Sequence, residues 1–339
     1  MAVEWTPKAM DDREEIFFKG MGKFKLEEKT ESFGESPKDK ITFTKCTLKE
    51  PGKQYFITHE HPKTQIVLHF TVGGLQGDVQ TLTSGEGIDK NGDIIDPYRV
   101  SVPFIIARNG RILKLWDEQK CWSNHLGPWA IGGNKKGSQK TIGIELSNLG
   151  PLKKKDGKLY CLKGKHFYCN EQDTDLYVDL KETPFRKEQY FAKFETAQYD
   201  SLITLLRYLI KTHKIEPKFL DENQRYDYAG ETLLTKDFLQ NFKGIVSHVN
   251  YRKSGKWDIG PAFDWKRVIE GVQKGDRELS TSDGGSGVFT SEDDNGGLFR
   301  SDDGGGLFRS EDDDGELFTP DDGGELFVSR DDDGELFTS

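Results

Sequence analysis

The stretch TQIVLHFTV, residues 64–72, carries the pattern that decides the fold. Its apolar run IVL precedes a histidine, which is typical of a strand with both faces buried in a sheet. Three similar runs follow, each bounded by Gly, Asn or Pro: VPFIIAR (102–108), ILKLW (112–116) and TIGIELSN (141–148). The tripeptide RNG predicts a tight hairpin between the second and third of these four runs. Together the runs predict a central β-sheet.

Helical periodicity occurs in three other places. Residues 195–213 place apolar side chains three and four positions apart and end in basic residues, which predicts a long amphipathic helix. Residues 265–272 predict a closing helix, and residues 11–21 predict a short amphipathic one. Strands and helices mixed in this order indicate the α/β fold class, with a mixed central β-sheet flanked by helices.

Composition divides the chain into three segments. Residues 1–50 are charged and weakly patterned, and we interpret them as an N-terminal extension in which 25–40 form a loop. Residues 51–275 have the texture of a globular domain, with a Lys-rich insertion at 151–186. Residues 276–339 form a low-complexity acidic tail.

The formal net charge of -10 describes none of these segments. Residues 281–339 contain 18 Asp and Glu against three Arg, a net charge of -15, so residues 1–280 carry a net charge of +5. A basic body is attracted to anionic polymers, whereas an acidic tail is repelled by them. The tail is therefore not expected to anchor the protein to such a polymer.

The tail repeats a unit of acidic residues, glycine and an aliphatic-Phe pair. Its phenylalanines recur every nine or ten residues: Phe289, Phe299, Phe308, Phe318, Phe327 and Phe337. Asp-Gly steps could form turns between short stacked strands, or the tail could be disordered and fold on binding a protein partner. The small apolar area of each repeat favours disorder. Calcium binding is the weaker prediction, because the GGxGxD motif of calcium-binding nonapeptide repeats is absent.

Several functional classes are disfavoured by the sequence. It contains no apolar run long enough to span a bilayer, and its start lacks the basic and apolar regions of a signal peptide. We therefore expect synthesis in the cytoplasm, with neither membrane insertion nor classical secretion, and no nucleic acid partner. The four cysteines are too few for a disulfide scaffold, and Cys161 and Cys169 are interpreted as packing residues or an optional pair.

Three polar residues stand where strand patterns end. His69 follows the apolar run of the first strand, His248 follows Ile245 and Val246, and Asp258 comes ten residues later in a Gly-containing loop. Any one of them could be a hydrogen-bonded core residue. Two histidines and a carboxylate, however, form a three-ligand set for a catalytic zinc, whose fourth position stays open for water. The sequence therefore predicts a Zn²⁺ site.

Three motifs carry a resemblance to a known family: LHFT (68–71), IGIEL (142–146) and GIVSHVNYRKSGKWDIGPAFDW (244–265). They resemble the zinc-dependent N-acetylmuramoyl-L-alanine amidases of the type-2 amidase family, which is related to phage lysozyme-like amidases and peptidoglycan recognition proteins. The resemblance spans residues 51–274, and its last motif is the most specific. Phe70 stands where the family often has a second histidine, and Ile259 stands where it has a proline.

The resemblance implies a role for each candidate residue. His69, His248 and Asp258 would bind zinc, and Glu145 would carry a proton from the attacking water to the leaving nitrogen. Lys256 would stabilise the oxyanion. Three residues would contact the substrate, namely His125, Thr71 and Trp122, although a structural role for His125 is equally compatible with its surroundings.

The implied function is hydrolysis of the amide bond between N-acetylmuramic acid and L-alanine in peptidoglycan or muropeptides. Two alternatives remain open: a peptidoglycan-binding module without catalysis, and an interaction protein tethered through its acidic repeats to a phage or injection assembly. In each case the protein would act at the cell wall or in the periplasm. The acidic tail would then have a protein partner of its own.

Overall fold

The structure is a computed structural model, and it describes most of the chain before the acidic tail. The described residues are 4–20, 22–37, 39–50, 52–85, 87–88, 94–95, 99–161, 164–229, 234–280, 329–330 and 336–337. The predicted tail at 276–339 therefore lies mostly outside the described residues, and so does the choice between its two proposed structures.

The described elements are helices separated by groups of strands. The helices are α1 (Pro7–Phe18), α2 (Leu75–Leu82), α3 (Asn134–Lys140), α4 (Thr196–His213), α5 (Lys236–Asn241) and α6 (Trp265–Ser280), with a short 3-10 helix at His248–Asn250. The strands are β1 (Phe24–Ser32), β2 (Lys40–Leu48), β3 (Ile57–Thr58), β4 (Gln65–Phe70), β5 (Gly87–Ile88), β6 (Ile94–Ile95), β7 (Phe104–Ile106), β8 (Ile112–Lys114), β9 (Cys121–Trp122), β10 (Thr141–Leu146), β11 (Pro151–Lys155), β12 (Lys158–Cys161), β13 (His166–Asn170), β14 (Tyr177–Asp179), β15 (Tyr190–Ala192), β16 (Gly244–Ser247), β17 (Ser329–Arg330) and β18 (Leu336–Phe337).

The main sheet has seven strands in the order β1-β2-β8-β7-β10-β4-β16. Strands β10 and β16 both run parallel to β4, while β7 and β8 form the antiparallel hairpin predicted from RNG. Every residue of β4 and of β10 is buried, as their continuous apolar runs predict. The mixed α/β fold class is therefore confirmed.

Helices cover both faces of this sheet. On one face, α4 and α6 pack through Leu202, Leu206 and Val268 against alternate residues of β4 and β10. On the other face, α1 and α2 contribute Phe17 and Val79 to a second apolar cluster. Among the described residues, no helix is both long enough and apolar enough to cross a membrane.

The first fifty residues contribute two strands to the main sheet, although their charged sequence did not predict strands. The loop predicted over 25–40 is wrong, because β1 occupies Phe24–Ser32 and pairs along its whole length with β2. Strand β2 in turn pairs with β8 and buries Ile41, Phe43 and Cys46. β1 is an edge strand with mostly exposed side chains, so it requires few apolar residues and has no strong sequence pattern.

The Lys-rich segment predicted at 151–186 forms an accessory sheet that extends to Ala192. Its order is β13-β12-β11-β15-β14, and one face packs on Trp5 and Met10 from the start of the chain. The backbone N–H of Trp5 also donates to the carbonyl of Phe167, 3.0 Å away. The four cysteines are free and buried, so they are packing residues here.

Candidate metal centre and active site

The candidate residues meet at the carboxyl ends of three neighbouring parallel strands. Glu145 of β10 is the register partner of His69 of β4, and Ser247 of β16 is the partner of Leu68, which places His248 next to His69. Parallel strands bring their carboxyl ends to the same edge of a sheet, where α/β proteins usually bind ligands. This topology brings together residues that are far apart in the sequence.

Three ligand atoms converge at this edge. Nδ1 of His69 lies 2.9 Å from Nδ1 of His248, and Oδ2 of Asp258 lies 3.3 Å and 2.8 Å from these two atoms. Ligand atoms around a tetrahedral zinc lie about 3.3 Å apart, given metal–ligand distances near 2.0 Å. The triangle is slightly tighter than that, and its three donors match the predicted ligand set.

The protonation states of the three residues suit a divalent cation. Burial lowers the pKa of His69, and burial lowers the pKa of His248 to about 3, so both imidazoles are neutral at pH 7. Burial alone would raise the pKa of Asp258, but its polar surroundings, which include the ammonium group of Lys256, hold it well below its usual value. Two neutral imidazoles and one carboxylate are the forms in which these side chains bind metals.

Hydrogen bonds behind the ring fix the tautomer of His248. Its Nε2 lies 3.0 Å from the carbonyl oxygen of Leu126, which can only accept a hydrogen bond. The proton of the neutral ring is therefore on Nε2, and the lone pair is on Nδ1, the atom that faces Asp258. Such a partner behind a metal-binding histidine both orients the ring and sets its tautomer.

A longer hydrogen-bond chain does the same for His69. The hydroxyl of Thr141 donates to the carbonyl of Gly137, so its oxygen accepts from Nε2 of His125, 2.7 Å away. Burial and the nearby His69 lower the pKa of His125 well below its usual value, so His125 is neutral and its Nδ1 accepts. That atom lies 3.0 Å from Nε2 of His69, which must donate. The lone pair of His69 is therefore on Nδ1.

Two of the three predicted substrate contacts, His125 and Trp122, are buried. The backbone N–H of His125 donates to Oγ of Ser138, and its ring lies between His69 and Thr141. His125 therefore packs directly behind the candidate ligand His69, whereas the ring of Trp122 packs edge-on against His61. Thr71, half-buried just after β4, is the member of the predicted set with open surface.

Close packing of His125 requires a glycine in β10. A Cβ atom at Gly143 would lie 3.0 Å from Nδ1 of His125 and 2.7 Å from a methyl group of Val102. Any larger residue would crowd both the imidazole of His125 and the side chain of Val102. Gly143 therefore leaves the space that His125 needs to contact the candidate ligand His69.

Glu145 lies on the same edge with a carboxylate oxygen that has no hydrogen-bond partner among the described residues. Burial and the charge of Asp258 raise its pKa well above the usual value, while Lys256 opposes that rise. A buried polar atom without a partner is uncommon in folded proteins and is often found at functional sites. The arrangement is suited to carrying a proton at the edge of the metal site.

Lys256 belongs to the loop that connects the two later ligands. It is buried, and its charge opposes the rise in the pKa of Glu145. The loop is closed by a hydrogen bond from the N–H of Val249 to the carbonyl of Asp258, 2.8 Å long. Lys256 is therefore held near both the candidate ligands and the candidate proton carrier.

Sequence reasoning did not identify Thr141, although a signal was present. One face of β10 carries every second residue of the strand: Thr141, Gly143 and Glu145. A hydroxyl, a glycine and a carboxylate thus interrupt a strand that is otherwise apolar. The carbonyl of Leu126 gave no such signal, because any residue supplies a backbone carbonyl.

Residues 59–261 match the protein family described as N-acetylmuramoyl-L-alanine amidase. This match covers more than half of the chain and all eight candidate residues. No curated protein sequence matches the chain. The family match therefore carries the assignment.

Several solved structures are similar at low identity. A selenomethionine derivative of AmpD is 19% identical over 66% of this chain and 92% of its own, with a TM-score of 0.34. The Escherichia coli amidase AmiD, bound to anhydro-N-acetylmuramic acid-L-Ala-D-γ-Glu-L-Lys, is 20% identical over 68% and 63%, with a TM-score of 0.36. The amidase LysC from Clostridium intestinale URNW is 14% identical over 67% and 95%, with a TM-score of 0.33.

Proposed function

Because the chain belongs to the N-acetylmuramoyl-L-alanine amidase family, it is an enzyme that hydrolyses the bond between N-acetylmuramic acid and L-alanine, and we propose that it uses zinc. The proposed ligands are His69, His248 and Asp258. The observation that carries this proposal is the convergence of their three donor atoms within 3.3 Å of one another. The paired tautomers of the two histidines support it, since both lone pairs face the same point.

Zinc bound there would polarise the scissile carbonyl and lower the pKa of a water molecule to about 7. The residues of the chain would supply the proton transfers and the charge stabilisation. Glu145 would accept a proton from the attacking water while the oxygen of that water bonds to the carbonyl carbon. It would then give that proton to the nitrogen as the carbon–nitrogen bond breaks, which releases a free amine.

We assign Lys256 the stabilisation of negative charge on the carbonyl oxygen. Its side chain is buried, and the weak screening by water there strengthens the interaction. Loss of one such donor costs about 2.7 to 4 kcal/mol in the transition state. Thr71, which has open surface next to β4, remains our proposed substrate contact, while His125 supports the ligand His69 from behind.

We propose a muropeptide or peptidoglycan strand as the substrate. The complex of AmiD with anhydro-N-acetylmuramic acid-L-Ala-D-γ-Glu-L-Lys is the precedent for a substrate of this kind. The net charge of +5 on residues 1–280 suits an anionic wall polymer. The protein would then act at the cell wall or in the periplasm, and its acidic tail would engage a protein partner, for which a phage or injection assembly is one candidate.

Digestion of purified peptidoglycan tests both the reaction and the metal. Incubation with the protein is expected to release peptides that begin with L-alanine, detected by mass spectrometry, and a chelator is expected to stop the release. Re-addition of Zn²⁺ should restore it. Release that continues undiminished after complete removal of metal would contradict the zinc proposal.

The variant Glu145→Gln tests the proton carrier. It keeps the shape of the side chain but cannot accept a proton, so kcat is expected to fall by about 10²- to 10⁴-fold. Zinc content should stay at the wild-type level, which separates loss of proton transfer from loss of the metal. Wild-type protein that binds peptidoglycan tightly but releases no peptide would instead support the binding-module alternative.

A further inference from the structure

The turn between Phe185 and Glu188 has an unusual composition. These two residues exchange backbone hydrogen bonds of 2.9 and 3.0 Å, so only Arg186 and Lys187 lie between them. Both central residues have positive φ, 49° and 69°, as in a type I′ turn. Asn and Gly are preferred at such positions because larger residues are strained there. Two long cationic residues in this turn suggest that at least one side chain has a function.

The side chain of Arg186 reaches the loop that carries the active-site residues. Its Nη1 donates to the carbonyl of Lys256, 2.6 Å away, and its Nη2 donates to the carbonyl of Val249, 3.1 Å away. The indole Nε1 of Trp257 donates back to the carbonyl of Arg186 at 3.4 Å. The planar guanidinium is suited to this task, because its N–H groups have fixed directions.

The two carbonyls belong to opposite ends of one loop. Val249 directly follows the proposed ligand His248, and Lys256 lies two residues before the proposed ligand Asp258. The two ends of the loop are joined by the hydrogen bond between the N–H of Val249 and the carbonyl of Asp258. A single side chain from the accessory sheet therefore ties both ends of the loop that supplies two ligands and the proposed oxyanion donor.

We propose that Arg186 is a positioning residue that holds the 249–258 loop in its metal-binding geometry and thereby couples the accessory sheet to the active site. This role rests on the proposed zinc-dependent function. Arg186 does not reach the reacting atoms itself; it acts through the backbone of Val249 and Lys256. The strained turn is retained because it directs the guanidinium at the loop.

Lys187 provides a matched control within the same turn. It has the same left-handed backbone and a cationic side chain, but it is exposed, and within the described part of the chain it donates no hydrogen bond. Replacement of either residue by glycine relieves the turn in the same way. Only Arg186→Gly removes the two hydrogen bonds to the loop.

The test compares Arg186→Gly with Lys187→Gly in the full-length chain. Zinc affinity, measured by competition with a chelating indicator, is expected to fall roughly 10-fold or more in Arg186→Gly and to stay unchanged in Lys187→Gly. At saturating zinc, kcat should fall in Arg186→Gly with little change in KM, because Lys256 loses its fixed position. Both variants should stay folded at the assay temperature, and Arg186→Lys should restore part of the lost affinity.

The rate of hydrogen exchange at the amide of Val249, measured in metal-free protein, reports how often the loop opens. Exchange is expected to be faster in Arg186→Gly than in Lys187→Gly. Equal exchange and equal kcat in the two variants would overturn the proposal. Wild-type protein that binds no stoichiometric zinc would instead overturn the proposed zinc function, and the exchange measurement would still decide whether Arg186 holds the loop.

Discussion

The hydroxyl of Thr141 influences a candidate metal ligand that it does not touch. It accepts from His125, and His125 accepts from His69, so the direction of every hydrogen bond is set by the carbonyl of Gly137 at the far end. Because each ring is neutral, each has one donor and one acceptor nitrogen. The position of the lone pair that His69 offers to a metal is thus set by Gly137, three hydrogen bonds away along this chain of contacts.

The variant Thr141→Val tests this chain. Without the hydroxyl, Nε2 of His125 loses its acceptor, and the preference of His69 for a lone pair on Nδ1 weakens. Zinc affinity is expected to fall by up to about 10-fold, the lower end of the range for direct partners of metal ligands, because Thr141 acts through His125. Isothermal titration calorimetry with Zn²⁺ measures the change.

The control for this experiment is Thr141→Ser, which keeps the hydroxyl and should bind zinc like the wild type. Identical affinity in the valine and serine variants would show that the hydroxyl has no influence on His69.

At the scale of elements, α1 is docked on the sheet through a buried acid. Oε1 of Glu14 accepts from the backbone N–H of Arg108, 3.1 Å away, and its other oxygen has no partner among the described residues. The guanidinium of Arg108 also pairs with Asp11 of the same helix at 2.9 Å. Burial raises the pKa of Glu14 from 4.5 to about 7, although Arg108 opposes the rise.

This shift predicts a pH dependence of stability. The folded state favours protonated Glu14. The contribution of Glu14 to the free energy of unfolding is therefore fully present below about pH 4.5, falls as pH rises, and is lost once pH passes about 7. The loss amounts to about 3 kcal/mol. Glu14→Gln keeps the acceptor for Arg108 without a charge, so it should gain stability over the wild type as pH rises from 4.5 to 8.

Urea unfolding of both proteins at several pH values measures the difference. A constant difference across this range would mean that Glu14 is not buried against the sheet, and that α1 is not docked as described.

Strands differed in how far they could be predicted. β4 and β10 lie in the middle of the sheet, so burial on both faces imposes a continuous apolar run that is visible in the sequence. β1 pairs on one side only and leaves most side chains exposed, so its charged sequence predicted a loop. The long helix α4 was predicted because its amphipathic period is independent of its neighbours.

At the scale of the whole molecule, the charge separation between body and tail is the dominant electrostatic feature. Residues 1–280 carry +5 and residues 281–339 carry -15. If the tail shields the basic body from anionic peptidoglycan, a protein truncated after residue 280 should bind and digest peptidoglycan faster than the full chain at low salt. The difference should vanish near 1 M salt, where the screening length falls from about 30 Å to about 3 Å.

A full-length control with the tail acids replaced by Asn and Gln separates charge from bulk. It should behave like the truncated protein. Equal activity of the truncated and full-length proteins at low salt would exclude shielding, and it would leave the protein partner as the proposed role of the tail.

The sequence by itself determined the α/β class and the central strands, because burial on both faces restricts residue type, and it indicated a metal set of two histidines and one carboxylate. The roles of Glu145 and Lys256 came from its resemblance to the amidase family. Tertiary structure alone decided three things: the place of β1 and β2 in the main sheet, the burial of His125 behind His69, and the contact of Arg186 with the 249–258 loop. These depend on edge pairing, on hydrogen bonds between side chains, and on contacts between distant segments. None of them requires a particular residue pattern along the chain.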